Sequence, residues 1–231
     1  MTKTLTRKLT LPPDQVAAVL AIPNKDQRAN RAAAIVRHLI EWPEDVIETA
    51  KTAAEVTRKH QKLADDIRST RDVAGMTLIK PYLRVRNPYD ETMAKIDADL
   101  EDGKIDERTA ELRRVEARAT YRARLEPVEY MPIDVYTLIG VSRGLFFRMI
   151  KRMPVDLEDI PDAHEAAESA RRECEMHDVI ALGARTIRDE AVLALLEGNP
   201  KAKRPPMSNA DVMRLIGLSS PRVHQIRMGT R

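Results

Sequence analysis

A nine-residue string occurs twice in this chain. Residues 134–142 read DVYTLIGVS and residues 211–219 read DVMRLIGLS, 77 positions later, with six identities in nine. Each copy sets apolar residues at i, i+3 and i+4: Val135, Leu138 and Ile139, then Val212, Leu215 and Ile216. That spacing predicts one buried face on a short helix. Gly140 and Gly217 follow, where a left-handed residue ends a helix without a Cβ clash. In the second copy Ser219 or Ser220 can cap another helix, and Pro221 suits a first turn that has no use for its missing N–H. Val223 and Ile226, at i and i+3, would pack that helix on the first; Phe146 and Met149 take the same slots in the earlier copy. The expected unit is two short helices joined by a glycine turn, present twice. Part of the identity is what any two such units share.

Packing through Val223 and Ile226 predicts that Arg222, His224, Gln225 and Arg227 point away from the core. The string LSSPRVHQI resembles the recognition helix of sigma factor region 4 and of related actinobacterial helix-turn-helix domains; the resemblance covers roughly twenty residues. It implies an all-α domain whose last helix enters the major groove of DNA. The earlier string GVSRGLFFRMIKRMP resembles excisionase-type helix-turn-helix domains, in which a basic run follows the reading helix. Here Leu145 and Phe147 stand where that family is often polar. They are expected either to touch thymine methyl groups or to pack against protein.

Charge supports the resemblance. The formal net charge of the 231 residues is only +3, but its distribution is uneven. From Lys201 onward the basic residues are Lys201, Lys203, Arg204, Arg214, Arg222, Arg227 and Arg231, against one acid, Asp211. A cationic end on a nearly neutral chain is the footprint expected of a nucleic-acid-binding surface. Aromatic residues make up 3% of the chain, so its core must be built from Ala, Leu, Ile, Val and Met. With only eight glycines, that usage favours helices over sheets.

The expected fold is therefore all-α and multi-helical, with two helix-turn-helix units in an approximate internal repeat. Four regions are expected: an N-terminal helical region (1–72), a connector with a charged helical hairpin (73–130), the first helix-turn-helix (131–155), and a second helical unit ending in the C-terminal motif (156–231). Helices are predicted after Pro13, from Asp26 to Ile40, and from about Glu44 to Arg71. Residues 75–88, with Pro81 and Pro88, read as an ordered connector that interrupts the helical pattern. Met93, Ile96 and Leu100, a turn at Gly103, and Asp106 to Arg124 read as a hairpin serving as spacer or dimer contact. The repeat extends upstream more weakly. Asp178-Val179-Ile180 is expected to open a helix as Asp45-Val46-Ile47 does, and Ile160-Pro161-Asp162 corresponds to Ile22-Pro23-Asn24. The region from about Thr70 to Met131 then reads as an insertion in the first copy, and Ile187, Ala191, Val192, Leu195 and Leu196 as the third helix of the C-terminal domain.

The residues expected to contact DNA are Ser219, Ser220, Arg222, His224, Gln225 and Arg227 in the second motif. Lys201, Lys203 and Arg204 join them from the loop before it, and Arg143, Phe147, Arg148, Lys151 and Arg152 from the first motif. Arginine suits phosphate or guanine and glutamine suits adenine. No catalytic constellation, phosphate loop or metal-ligand pattern is evident; Cys174 and His177, at i and i+3, lack a second ligand pair. The expectation is no enzyme and no cofactor. A single cysteine fits a reducing compartment, and the start has no secretory apolar run, so a cytoplasmic, nucleoid-associated protein is expected. The partner expected is double-stranded DNA, with a homodimer and RNA polymerase as further partners and no membrane. The leading function is sequence-specific transcription regulation in an actinobacterial or phage setting. The alternatives are a nucleoprotein assembly factor, of the small-terminase, partition or replication-accessory type, and an RNA polymerase-interacting protein.

Overall fold

The computed structural model describes residues 9–152, 159–198 and 205–229. Among these are nine α-helices and no strand, so the chain is all-α. Lys201, Lys203 and Arg204 lie outside the described residues. The fold divides into two compact units: one takes the described residues up to Ile67 and those from Arg172, the other Arg68–Arg171.

The first unit begins with α1 (Pro13–Leu20) and α2 (Lys25–Leu39). Pro13 occupies the first turn of α1, and Asn24 caps α2, its Oδ1 accepting from the Asp26 and Gln27 amides at 3.0 Å. The small stripe of α2 is buried at Ala29, Ala32, Ala33 and Val36. It packs with Val16 and Val19 of α1, Val56 of α3 (Val46–Glu101), and Val179, Ile180 and Ala184 of α7 (Ala163–Glu197). Burying each Val or Ile contributes about 1.5–3 kcal/mol, and small residues let the backbones approach. At Gly183 a Cβ would stand 2.5 Å from the Ala32 carbonyl oxygen, so α2 and α7 touch where α7 has no side chain. A second apolar cluster joins Ala50 and Ala54 of α3 to Ala191, Val192 and Leu195 of α7. On it sit Val212 and Ile216 of α8 (Asn209–Ile216) and Val223 and Ile226 of α9 (Ser220–Arg227). The expected third helix of the C-terminal domain is thus the end of α7, and α3 adds a fourth.

The second unit holds the rest of α3, the start of α7, α4 (Glu107–Leu125), α5 (Pro132–Leu138) and α6 (Arg143–Lys151). Ala74, Met76 and Ile79 of α3 form a core with Ala167 of α7, Val135 and Ile139, and Phe146. The hairpin of α3 and α4 turns at Gly103, and Asp106 caps α4 by accepting from the Thr109 amide at 2.7 Å. Tyr89 and Tyr121 stack across it, centroids 4.4 Å apart, with the Arg86 guanidinium beside both rings.

Two sequence expectations are corrected. Residues 75–88 are no connector: α3 runs unbroken from Val46 to Glu101 through Pro81 and Pro88. Each proline forfeits a ladder hydrogen bond, but Met76, Ile79 and Leu83 keep helical spacing across the first of them and are packed in or against the core of this unit. Burial outweighs the local cost. Nor does Asp178 open a helix; it lies inside α7, four residues from Cys174 and within reach of its Sγ. Asp45 does start one, its Oδ1 accepting from the Ile47 and Glu48 amides at 2.8 and 3.1 Å. Ile160-Pro161-Asp162 does stand just before α7, as Ile22-Pro23-Asn24 stands before α2, so the upstream extension fails at Asp178 and holds at this point.

Candidate nucleic-acid interface

The pair α8–α9 is built by local rules. Ser208 caps α8, its Oγ accepting from the Asp211 amide at 3.2 Å. Gly217 is left-handed, with φ +72°, and its amide donates to the Met213 carbonyl. Ser219 precedes α9, with Pro221 in the first turn. Val212, Ile216, Val223 and Ile226 are buried, as the spacing predicts, whereas Leu215, expected on that face, is 38% exposed. One residue is about 100° of turn on a helix, so Leu215 is displaced that far around α8 from the buried Ile216.

On α9, Ser219, Ser220, His224, Gln225 and Arg227 are exposed. Arg222 is not directed outward as expected. Its Nη2 donates to Oδ2 of Asp189 on α7, while its Nη1 donates to Oε1 of Gln225 at 3.2 Å. The cause is Asp189, whose side chain is 7% exposed and whose charge needs partners. Arg188 supplies the other side, with Nε and Nη2 donating to Oδ1 at 3.0 and 2.7 Å. Arg222 therefore ties the outer helix to its support, and Gln225 has its amide oxygen engaged by that tie.

The pair α5–α6 repeats the same local devices. Asp134 accepts from the Met131 amide at 2.9 Å, and Ser142 caps α6 by accepting from the Leu145 amide at 3.3 Å. Gly140 has φ +68°. Its missing side chain also leaves room for Arg171, whose Nε would lie 2.9 Å from a Cβ there. Arg171 donates to the Thr137 and Leu138 carbonyls at 2.9 and 3.2 Å, satisfying the end of α5. Phe146 is fully buried; Leu145 and Phe147 are 38% and 39% exposed. The Arg143 guanidinium sits 5.8 Å from the Phe147 ring centre. Arg143, Arg148, Lys151 and Arg152 are all exposed, and none has an acidic partner among the described residues. Arg214 of the other pair, by contrast, leans on Asp211 at 3.6 Å.

Sequence reading missed Asp189, Arg188 and Arg171. The first two had a signal: the charged run Arg188-Asp189-Glu190 sits between Ile187 and Ala191, two residues of that helix's apolar face. The fold also brings together His60 and His177, 117 residues apart. They meet, buried, with Nδ1 to Nδ1 at 2.9 Å, so one ring donates and the other accepts. Burial, and then the neighbouring His177 and Lys59, lowers the His60 pKa to about 4. Among the described residues no group of three or more His, Cys, Asp or Glu side chains is placed to hold a metal ion, and no helix is long and apolar enough to cross a membrane.

No protein-family model, curated protein or solved structure matches the chain. The all-α fold carries two glycine-turn helix pairs, each packed on parts of α3 and α7 and presenting a polar or cationic second helix.

Proposed function

We propose that this protein is a sequence-specific duplex-DNA-binding regulator that uses α9 and α6 as its two reading helices. The observation that carries the proposal is the division of each outer helix. One side is locked into a core by Val223 and Ile226, or by Phe146; the other presents exposed groups chemically suited to DNA. On α9 these are Ser219, Ser220, His224, Gln225 and Arg227. On α6 they are Arg143, Arg148, Lys151 and Arg152, cations with no acidic partner among the described residues. Cations left without acids inside the protein match a partner that supplies a row of phosphates, and Gln225 supplies base-edge chemistry. Arg222 drops out of the base-reading set and becomes an internal strut.

The test is selection of bound duplexes from a random pool with the full chain. Recovery of one motif, bound about 10³-fold or more tighter than bulk DNA, supports the proposal; recovery of unselected sequence refutes the specific reading. The exposed apolar groups Ile133, Leu145 and Phe147 favour a second reading, in which α6 meets a protein such as RNA polymerase. A complex with polymerase that forms without DNA and survives high salt would favour it.

A further inference from the structure

Beneath α9 the first unit concentrates three guanidiniums about one carboxylate. Arg185, Arg188 and Asp189 share a face of α7 at i, i+3 and i+4, and Arg222 reaches them from α9. Arg188 and Arg222 hold opposite oxygens of Asp189, so both carboxylate edges are in use. Arg185 is only partly exposed, yet makes no hydrogen bond or ion pair among the described residues. A guanidinium carries five N–H donors and cannot shed its charge at working pH. Three cations against Asp189, with Asp178 also near Arg185, leave a positive surplus at a place half withdrawn from water.

We infer that Arg185, with the cationic edges of Arg188 and Arg222, forms a binding site for a phosphate-type anion beside the base of α9. Planar forked donors on neighbouring turns suit a tetrahedral oxyanion, which accepts from more than one arginine at once. The electrostatics agree: burial, then Arg188 and Arg222, disfavour the charged form of Arg185 more than Asp189 and Asp178 favour it, and an added anion offsets the repulsion among the three guanidiniums. Asp189 and Asp178 set a limit, since both carboxylates repel an anion near Arg185. The phosphate has two sources, inorganic phosphate in solution or a backbone phosphate of a duplex lying along α9. Only the second rests on the DNA-binding proposal.

The test uses the full chain and inorganic phosphate. Thermal unfolding is followed as phosphate rises through the millimolar range, with chloride at matched ionic strength as the reference. Any well-excluded salt raises the midpoint without saturating; a site adds a saturable rise. The expected result is saturation in the wild type, and about ten-fold or more weaker apparent affinity in Arg185→Gln, as expected for loss of a charged hydrogen-bonding partner. Arg185 makes no hydrogen bond or ion pair among the described residues, so this variant should fold, which helical circular dichroism checks. Equal responses of wild type and variant, or no saturation in either, overturn the inference. In a second arm, duplex affinity is measured against salt concentration. A salt slope reduced by about one in Arg185→Gln assigns the anion to the backbone; an unchanged slope with the phosphate effect intact assigns it to free phosphate, and both support the site. If the chain binds no duplex, the DNA proposal fails while the phosphate arm still decides this one.

Discussion

Asp189 is the residue on which the outer helix turns. It is buried, carries a charge, and is held between Arg188 of its own helix and Arg222 of α9. Arg222→Ala should therefore destabilise the fold by about 1–3 kcal/mol, the cost of leaving a charged acceptor short of a partner. The measurement is a urea midpoint; a variant that loses only DNA affinity would show that Arg222 faces outward after all. Gln225→Ala should cost the fold less, about 0.5–1.5 kcal/mol, since Arg222 keeps its bond to Asp189. Its effect on binding should appear as about 1–3 kcal/mol less discrimination at one base pair of the selected site. The other demanding residue is His60. Unfolded, its imidazole takes up a proton near 6.5; folded, buried against His177, it does so only near 4. Between those values the unfolded chain binds more protons, so stability is fully present above pH 6.5 and is lost as pH falls towards 4. At about 1.4 kcal/mol per pKa unit the loss is roughly 3 kcal/mol. Comparing urea midpoints at about pH 7.5 and 4.5 checks this: the acid drop should shrink in His60→Gln, and an equal drop in both proteins would assign the acid lability to other groups.

The two helix pairs separate what a glycine does for the backbone from what it does for its neighbours. Gly140 and Gly217 have nearly the same φ, +68° and +72°, but a Cβ at 140 would collide with Arg171 whereas one at 217 would meet nothing within 4 Å. Gly217→Ala should cost about 1–2 kcal/mol, the left-handed penalty alone. Gly140→Ala should cost more, because it also displaces the guanidinium that satisfies the Thr137 and Leu138 carbonyls. The difference between the two urea midpoints measures that crowding, and equal losses would show that Arg171 yields freely. These pairs were the legible part of the molecule: cap, apolar spacing and left-handed glycine all act within about ten residues, so both motifs can be found by reading along the chain. Long-range matters were not legible. Pro81 and Pro88 signal a break locally, and only the core that receives Met76 and Ile79 keeps α3 helical through the first of them. Arg222 reads as an outward cation because its partner lies 33 residues away, and His60 reads as isolated because its partner lies 117 away. No periodicity encodes either pairing.

At the scale of the whole molecule, one chain carries two non-identical helix pairs, whose outer helices α9 and α6 are the proposed readers. If both engage the same duplex, the first contact raises the local concentration of the second, and affinity exceeds that of either motif alone without any new interaction. The two faces are chemically unequal, which makes this separable. Replacing Arg143, Arg148, Lys151 and Arg152 together by Gln removes exposed cations and should reduce the salt slope of duplex binding by about one for each that touches a phosphate. The selected sequence at the α9 half should survive. Replacing Gln225 and Arg227 by Ala should do the reverse, relaxing sequence preference while keeping most of the slope. Affinity as a function of salt, measured for both variants on the selected duplex and on a scrambled one, distinguishes the arrangements. With both helices on one duplex, each variant loses about 10²-fold or more relative to the wild type, because losing either arm forfeits the local-concentration gain. If the α6 variant matches the wild type in slope and affinity, α6 does not touch DNA. The exposed Leu145 and Phe147 then become the centre of a protein contact, leaving α9 as the single reader.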